Sequence, residues 1–181
     1  MRGVDRFTNV SGSVINEGAI NSPFAALIGS HVANTGTIIA PQGTVVMGSG
    51  DEALIGKRDG NVFVRLTANT GNATPAGSAA VENTGTVNAD RGAVVIAAGD
   101  VYSMAVRTSG TIRGRDIKVQ GQGTGVVAVQ GRLDASNQGK NNTGGTIEVT
   151  GQKVGAFGAT IDASGQNGGG TVNLGGGFRG Q

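Results

Sequence analysis

One short phrase recurs along this chain: NTGTI at 34–38 and NTGTV at 83–87, with the variants NEGAI at 16–20 and TSGTI at 108–112. The copies at 34 and 83 begin a longer match. NTGTIIAPQGTVVMGSGDEALI (34–55) aligns with NTGTVNADRGAVVIAAGDVYSM (83–104) at an ungapped offset of 49, with ten of 22 positions identical. Nearer the C-terminus, RLDASNQG (132–139) answers TIDASGQN (160–167) at a spacing of 28, and GGTIEVTG (144–151) answers GGTVNLGG (169–176) at a spacing of 25. Self-similarity at 20–50 residues is the mark of a repeat architecture, in which each unit buries its apolar face only against its neighbours. Gly18, Gly36, Gly85 and Gly110 are separated by 18, 49 and 25 residues. If 49 spans two turns, every spacing is one or two units of roughly 18–28 residues.

The apolar residues select the unit. They come in short β-branched bursts, TVVMG (44–48), NVFVRL (61–66), AVVIAAG (93–99) and GVVAVQG (125–131), with no 3.6-residue stripe, which favours strands over helices. Leucines at fixed offsets, a strict six-residue period and the calcium-binding glycine-rich nonapeptide are all missing, which removes the other common solenoids. The fold class that remains is all-β, a right-handed parallel β-helix, its hand following from the preference of parallel crossovers. At about 20–25 residues per coil, the expectation is one domain over 1–181 with roughly seven to nine coils. The rod is then roughly 35–45 Å long at about 4.8 Å per coil.

Each position of the phrase has an expected role. Ile20, Ile38, Val87 and Ile112 point inward and stack coil on coil. The glycine supplies a positive φ at the corner. Asn16, Asn34 and Asn83 form turns and an amide ladder. Thr37, Thr86, Thr111, Thr146, Thr160 and Thr171 face outward. Pro23, Pro41 and Pro75 sit in turns, where no ladder donor is lost, and 71–83 and 136–145 read as loops. Aromatics are only 3% of the chain, with no Trp and a single Tyr at 102, so the core is aliphatic. The few rings (Phe7, Phe24, Phe63, Phe157, Phe178, Tyr102) could stack on sugars where exposed, but most of them are expected to fill interior gaps.

Candidate chemistry is sparse. With no cysteine, disulfides, thiolate catalysis and cysteine metal sites drop out. The formal charge is +2. The loose basic cluster Arg107, Arg113, Arg115, Lys118 and Arg132 lacks interleaved aromatics and reads as a solvated face, so no nucleic-acid partner is expected. Asp51 and Asp100 occupy equivalent repeat positions, as do Asp134 and Asp162. A carboxylate pair could serve glycoside hydrolysis, but no basic residue recurs with them, and turn aspartates are the favoured reading. The only histidine, His31, reads as a surface turn. GQGTG (121–125) and GGGTVNLGGG (168–177) lack the GK[ST] lysine of a phosphate loop. No catalytic, cofactor-binding or metal-ligating residue is assigned, and no cofactor. The opening MRGVDRFTNVSG has no apolar signal-peptide core, and no run is long enough to span a bilayer.

The order of SGSVINEGAI, FAALIGSHVANTGTIIAPQGTVVMGSGD, VENTGTVNADRGAVVIAAGD, GRLDAS, GATIDASG and GGTVNLGGGFRG resembles the filamentous haemagglutinin family of large exoproteins, over residues 8–178 or so. These are passengers of two-partner secretion in Gram-negative bacteria. The resemblance implies a secreted or cell-surface protein, exported through an outer-membrane partner transporter and acting in adhesion to host-cell or surface glycans or to other cells. The family's NPNG-bearing secretion motif has no counterpart here, so the chain resembles the β-helical region downstream of that domain, a piece of a longer solenoid. The expected role is a non-enzymatic structural segment. The alternative is a carbohydrate-active β-helix enzyme, a polysaccharide lyase or hydrolase. End-to-end self-association through open strand edges is a further expectation.

Overall fold

The computed structural model describes residues 4–58, 61–67, 78–99 and 104–176. Three six-stranded parallel sheets form the three faces of a coil stack. The first face runs β2 (Ser13–Asn16), β5 (His31–Asn34), β10 (Val81–Asn83), β13 (Met104–Thr108), β16 (Val126–Val129) and β19 (Lys153–Ala156). The second runs β3 (Ala19–Asn21), β6 (Thr37–Ile39), β11 (Thr86–Asn88), β14 (Thr111–Arg113), β17 (Arg132–Asp134) and β20 (Thr160–Asp162). The third runs β4 (Phe24–Gly29), β7 (Thr44–Ser49), β12 (Ala93–Ala98), β15 (Asp116–Gly121), β18 (Thr146–Thr150) and β21 (Thr171–Gly175). The chain visits the faces in this order on every coil, which makes it a parallel β-helix.

The core follows from strand alternation. Side chains of period two send every second residue inward, and parallel register places like residues on top of one another. Ile20, Ile38, Val87, Ile112, Leu133 and Ile161 form one column. Val14, Val32, Val81, Val106, Val127 and Val154 form another. The third face contributes two more. One runs Ala25, Val45, Val94, Ile117, Ile147 and Val172, the other Leu27, Met47, Ile96, Val119, Val149 and Leu174. The middle members of all four columns are sealed from solvent. Each such aliphatic side chain contributes about 1.5–3 kcal/mol, so a narrow core without large rings suffices.

The corner between the first and second faces carries the amide ladder. Asn16 Nδ2 donates to Asn34 Oδ1 at 2.7 Å, and Asn34 Nδ2 donates to Asn83 Oδ1 at 2.7 Å. Asn34 and Asn83 are buried. In register above Asn83 stands Thr108, whose hydroxyl is buried without a hydrogen-bond partner. Val129 and Ala156 continue the column.

The structure corrects three expectations. First, the 49-residue spacing is one coil, not two, because Val81 pairs directly with Val32 and Asn83 with Asn34. The extra length leaves the stack. Ala53–Arg58 (β8) and Asn61–Leu66 (β9) pair antiparallel, and Val4–Phe7 (β1) adds to β8 as a third antiparallel strand. Ala53 and Leu66 cover Ala97 and Ile28 on the outer side of the third face, which is why β7 is buried throughout. Described residues therefore supply six coils rather than seven to nine, about 24 Å of rod at ~4.8 Å per step.

Second, the corner glycines do not adopt positive φ. Among the described residues that region holds Asn9, Gln42, Asp90, Asn141, Gly123, Gly158 and Gly168. A Cβ on Gly36, Gly85, Gly110 or Gly131 would instead fall within 3 Å of the carbonyl oxygen of the coil below, that of Gly18, Gly36, Gly85 and Gly110 in turn. Glycine is required there by close approach of backbone to backbone. Third, the described phenylalanines do not fill the interior. Phe7 and Phe157 are exposed at 40% and 64%, and Phe24 is half-buried. The interior is already occupied by the four aliphatic columns. Tyr102 and Phe178, and the side chain of Phe63, lie outside the described residues, as do Pro75 and most of 71–83.

Candidate functional site

The LDAS and IDAS sequences come together. Asp134 and Asp162 lie directly opposite one another in β17 and β20. Each folds its side chain onto its own turn. Asp134 Oδ1 accepts from the Ser136 N–H at 3.0 Å and the Ser136 hydroxyl at 2.6 Å, and Asp162 Oδ1 accepts from the Ser164 N–H at 2.9 Å. Arg132 spans both coils, its Nη2 lying 3.2 Å from Asp134 Oδ2 and 3.3 Å from Asp162 Oδ2. Burial opposes the Asp134 charge, yet the Ser136 bonds and Arg132 outweigh it and hold the carboxyl below its ordinary value. The Ser164 N–H and hydroxyl, aided by Arg132, likewise lower Asp162 against slight burial and repulsion from Asp134. Acid–base hydrolysis needs one carboxyl raised so that it holds a proton. Here both are ionised and bound to their turns, a pattern that braces a corner.

The other carboxylate pair is not assembled in the described region. Asp51 is half-buried just before the antiparallel strands, and Asp100 lies outside the described residues. His31 is the half-buried first residue of β5, not a surface turn, and its Nδ1 faces the Ala79 carbonyl at 3.0 Å. A carbonyl only accepts, so Nδ1 carries the hydrogen, and the bond ties two successive coils. GQGTG is a turn, closed by the Gly125 N–H on the Gln122 carbonyl at 3.1 Å with Gly123 at φ 64°. In 136–145, Asn137 bridges Gly165 of the next coil, so this loop is attached to the stack. The threonines divide between two faces. Thr37, Thr86, Thr111 and Thr160 share one row, interrupted by Arg132, while Thr146 and Thr171 stand on another. None is fully buried.

Of the loose basic cluster, three members face acids on neighbouring coils or strands: Arg107 with Glu82 at 3.6 Å, Lys118 with Glu148 at 3.7 Å, and Arg132 as above. The Arg107–Glu82 and Lys118–Glu148 pairs, cross-strand and partly exposed, contribute up to about 1 kcal/mol each. Arg113 and Arg115 instead converge with Arg91 on a shallow cleft of about 230 Å³, beside Asp90, Gln138 and Asn142. A wider open depression of about 480 Å³ continues across the third face past Arg91, Arg115, Asp116, Lys118, Thr146 and Glu148. The arginine cleft can accept a single anionic group. The depression mixes both signs of charge and offers no aromatic platform for a sugar ring.

No protein family, curated protein or solved structure matches this chain. Its chemistry is therefore read from these residues alone. Among the described residues no group of three or more histidine, aspartate or glutamate side chains could hold a metal ion, and no helix is long and apolar enough to cross a membrane.

Arg91 is the one arginine of the cleft that the sequence reading passed over. Its signal lay in the repeat alignment, where Asp90–Arg91–Gly92 takes the place of Pro41–Gln42–Gly43. Pro41 fixes its own φ negative, so the positive φ falls on Gln42. Asp90 has no ring and takes the positive φ itself. The two turns therefore differ locally although both are closed by a glycine N–H on an alanine carbonyl, Ala40 and Ala89.

Proposed function

We propose that the chain is a structural β-helical segment of a secreted or cell-surface, adhesin-like exoprotein of the filamentous haemagglutinin kind, exported through an outer-membrane partner transporter. One observation carries this reading: four aliphatic columns run through all six described coils without interruption, an asparagine ladder braces the corner of the first three, and the turn carboxylates are bound to backbone and arginine. A stack of this kind lengthens without needing a wider core, because each coil buries its neighbour's edge. That suits a stiff spacer that displays adhesive parts at a distance, with its own faces making weak contacts to host-cell or surface glycans or to other cells. The absence of cysteine accords with passage through a pore as an unfolded chain. The segment has no enzymatic role in this reading.

The test is export. The chain is fused behind a secretion domain of a two-partner system and produced with and without its outer-membrane transporter. Surface or medium recovery that requires the transporter, with β-rich circular dichroism of the recovered protein, is the expected result. Retention in the periplasm in both strains overturns the export reading. Screening the purified chain against pectin, alginate and chondroitin addresses the structural part. Turnover abolished by Asp116→Ala or Glu148→Ala would replace it with a carbohydrate-active enzyme.

A further inference from the structure

At the corner that enters the third face, the coils hold Pro23, Gly43, Gly92, Arg115, Gly145 and Gly170 in one column. A Cβ on any of the four glycines would strike the carbonyl of the same position one coil below, on Pro23, Gly43, Arg115 and Gly145 in turn. Backbone contact thus demands glycine above and below Arg115, yet Arg115 itself carries a long side chain. A residue that breaks the local rule of its repeat is where a functional site is sought.

Arg113 departs from its column too, which reads Asn21, Ile39, Asn88, Arg113, Asp134 and Asp162. Asp134, its partner in the next strand, is already held by Ser136 and Arg132. Among the described residues no carboxylate lies within ion-pair distance of Arg91, Arg113 or Arg115. Arg113 and Arg115 flank the buried Gly114, and Arg91 precedes Gly92, whose carbonyl accepts the Arg115 N–H at 2.8 Å. These contacts fix the backbone from which the three exposed side chains line the cleft. The loop that completes the lining is fastened as well. Asn142 Nδ2 donates to Asn137 Oδ1 at 3.3 Å, and Asn137 bridges Gly165.

The lining selects a ligand class. Three guanidinium groups against the single Asp90 carboxylate leave two positive charges uncompensated. A sulfate ester or a carboxylate brings one negative charge. A phosphate monoester brings about 1.5 to 2 at pH 7, with three acceptor oxygens for the guanidinium forks. At about 230 Å³ the cleft is smaller than the roughly 300–1,000 Å³ that encloses a whole small ligand. It therefore takes one charged group and leaves the remainder outside. Among the described residues its lining holds no large apolar or aromatic side chain. A membrane-surface site sets such residues beside its bases, and a nucleotide site offers a ring for stacking. The remainder of the ligand is therefore polar, and Asp116 and Thr146 in the adjoining depression can meet its hydroxyl groups.

We propose that Arg91, Arg113 and Arg115 bind the phosphate monoester of a phosphorylated saccharide, with the sugar lying outward over the depression that shares Arg91 and Arg115. The phosphate supplies the anchor, so no aromatic platform is required. The site depends on the cleft alone and stands independently of the export reading.

Isothermal titration of the full chain with glucose 6-phosphate, in low-salt buffer free of phosphate, tests it. Saturable binding is expected, with glucose 6-sulfate and glucuronate several times weaker. Arg113→Gln and Arg115→Gly should each weaken binding by about tenfold or more, the loss of a charged hydrogen bond. Arg115→Gly should keep the circular dichroism of the parent, because glycine is what its column holds. Asp90→Asn should tighten binding, a gain that misfolding cannot produce, and asparagine tolerates the positive φ of that turn. Lys153→Gln removes an exposed positive charge on the first face and should leave the affinity unchanged. No binding by the parent overturns the proposal, as do equal affinities for phosphate and sulfate, or equal losses in Lys153→Gln and Arg113→Gln. Cosedimentation with phosphatidic acid vesicles without binding of glucose 6-phosphate would assign the arginines to a membrane surface and overturn it as well.

Discussion

Replacing Gly85 by alanine should cost the rod about 2–3 kcal/mol, although it adds one methyl group at a half-buried corner. The added Cβ would lie within 3 Å of the Gly36 carbonyl oxygen and of the Thr35 carbonyl group. Restoring an ordinary contact requires the two corners to part by about 1 Å, which stretches bonds of 2.9–3.0 Å beyond hydrogen-bonding range. Three bonds are at stake: the Thr84 and Gly85 N–H on the Asn34 carbonyl, and the Thr86 N–H on that of Gly36. At about 1 kcal/mol each the loss is about 3 kcal/mol, offset by up to about 1 kcal/mol from the reduced freedom of the unfolded chain. Gly18→Ala is the internal control, because the same methyl at the bottom of the column touches nothing. It should fall within about 0.5 kcal/mol of the parent or slightly above it. Urea unfolding followed by far-ultraviolet circular dichroism reads both. Equal stabilities for Gly85→Ala and Gly18→Ala would refute close coil-to-coil approach as the reason for these glycines.

Other substitutions follow from the same corner and its neighbours. Asn34→Ala removes both 2.7 Å bonds of the amide ladder and leaves the Asn83 oxygen buried without its donor, so it should destabilise by about 2–4 kcal/mol in the same assay. Thr108→Val removes a buried hydroxyl that has no partner and should stabilise the protein by about 1 kcal/mol, with a rise in the thermal midpoint. Asp134 and Asp162 have carboxyls lowered from an ordinary value of 3.8. Their contribution to stability is therefore complete above about pH 4 and lost as pH falls through the folded-state values. Stability measured from pH 6 down to pH 2 should decline along that limb, and Asp134→Asn should flatten it.

The parallel β-helix was legible because its rule is written in register. Ile38 and Val87, Thr37 and Thr86, and Asn34 and Asn83 are 49 residues apart in the sequence and adjacent in the fold. The coil number was not legible from that same spacing. Nothing in the offset says whether the intervening residues make a coil or leave the stack, and the antiparallel strands β8 and β9 do the latter. A local signal did exist, because Asp59–Gly60 joins two apolar stretches as hairpin dipeptides do. The role of the corner glycines was hidden for a different reason. Positive φ and close backbone approach both select glycine, and only the neighbouring coil distinguishes them. The DAS turns were read correctly as turns. Arg132, which ties the two aspartates together, could not be paired with them while the coil register was unknown.

The register itself can be tested with introduced thiols, since the chain has no cysteine of its own. Thr37 and Thr86 are direct partners in β6 and β11, and Thr111 lies one coil further on. Adjacent in-register positions fall within disulfide reach, whereas positions two coils apart, about 10 Å, do not. Mild oxidation of the folded Thr37→Cys/Thr86→Cys protein should form an intramolecular disulfide, and the Thr37→Cys/Thr111→Cys protein should remain reduced. Cross-linking of the second pair but not the first would show that the 49-residue spacing does not close a single coil, and the stacking described here would be wrong.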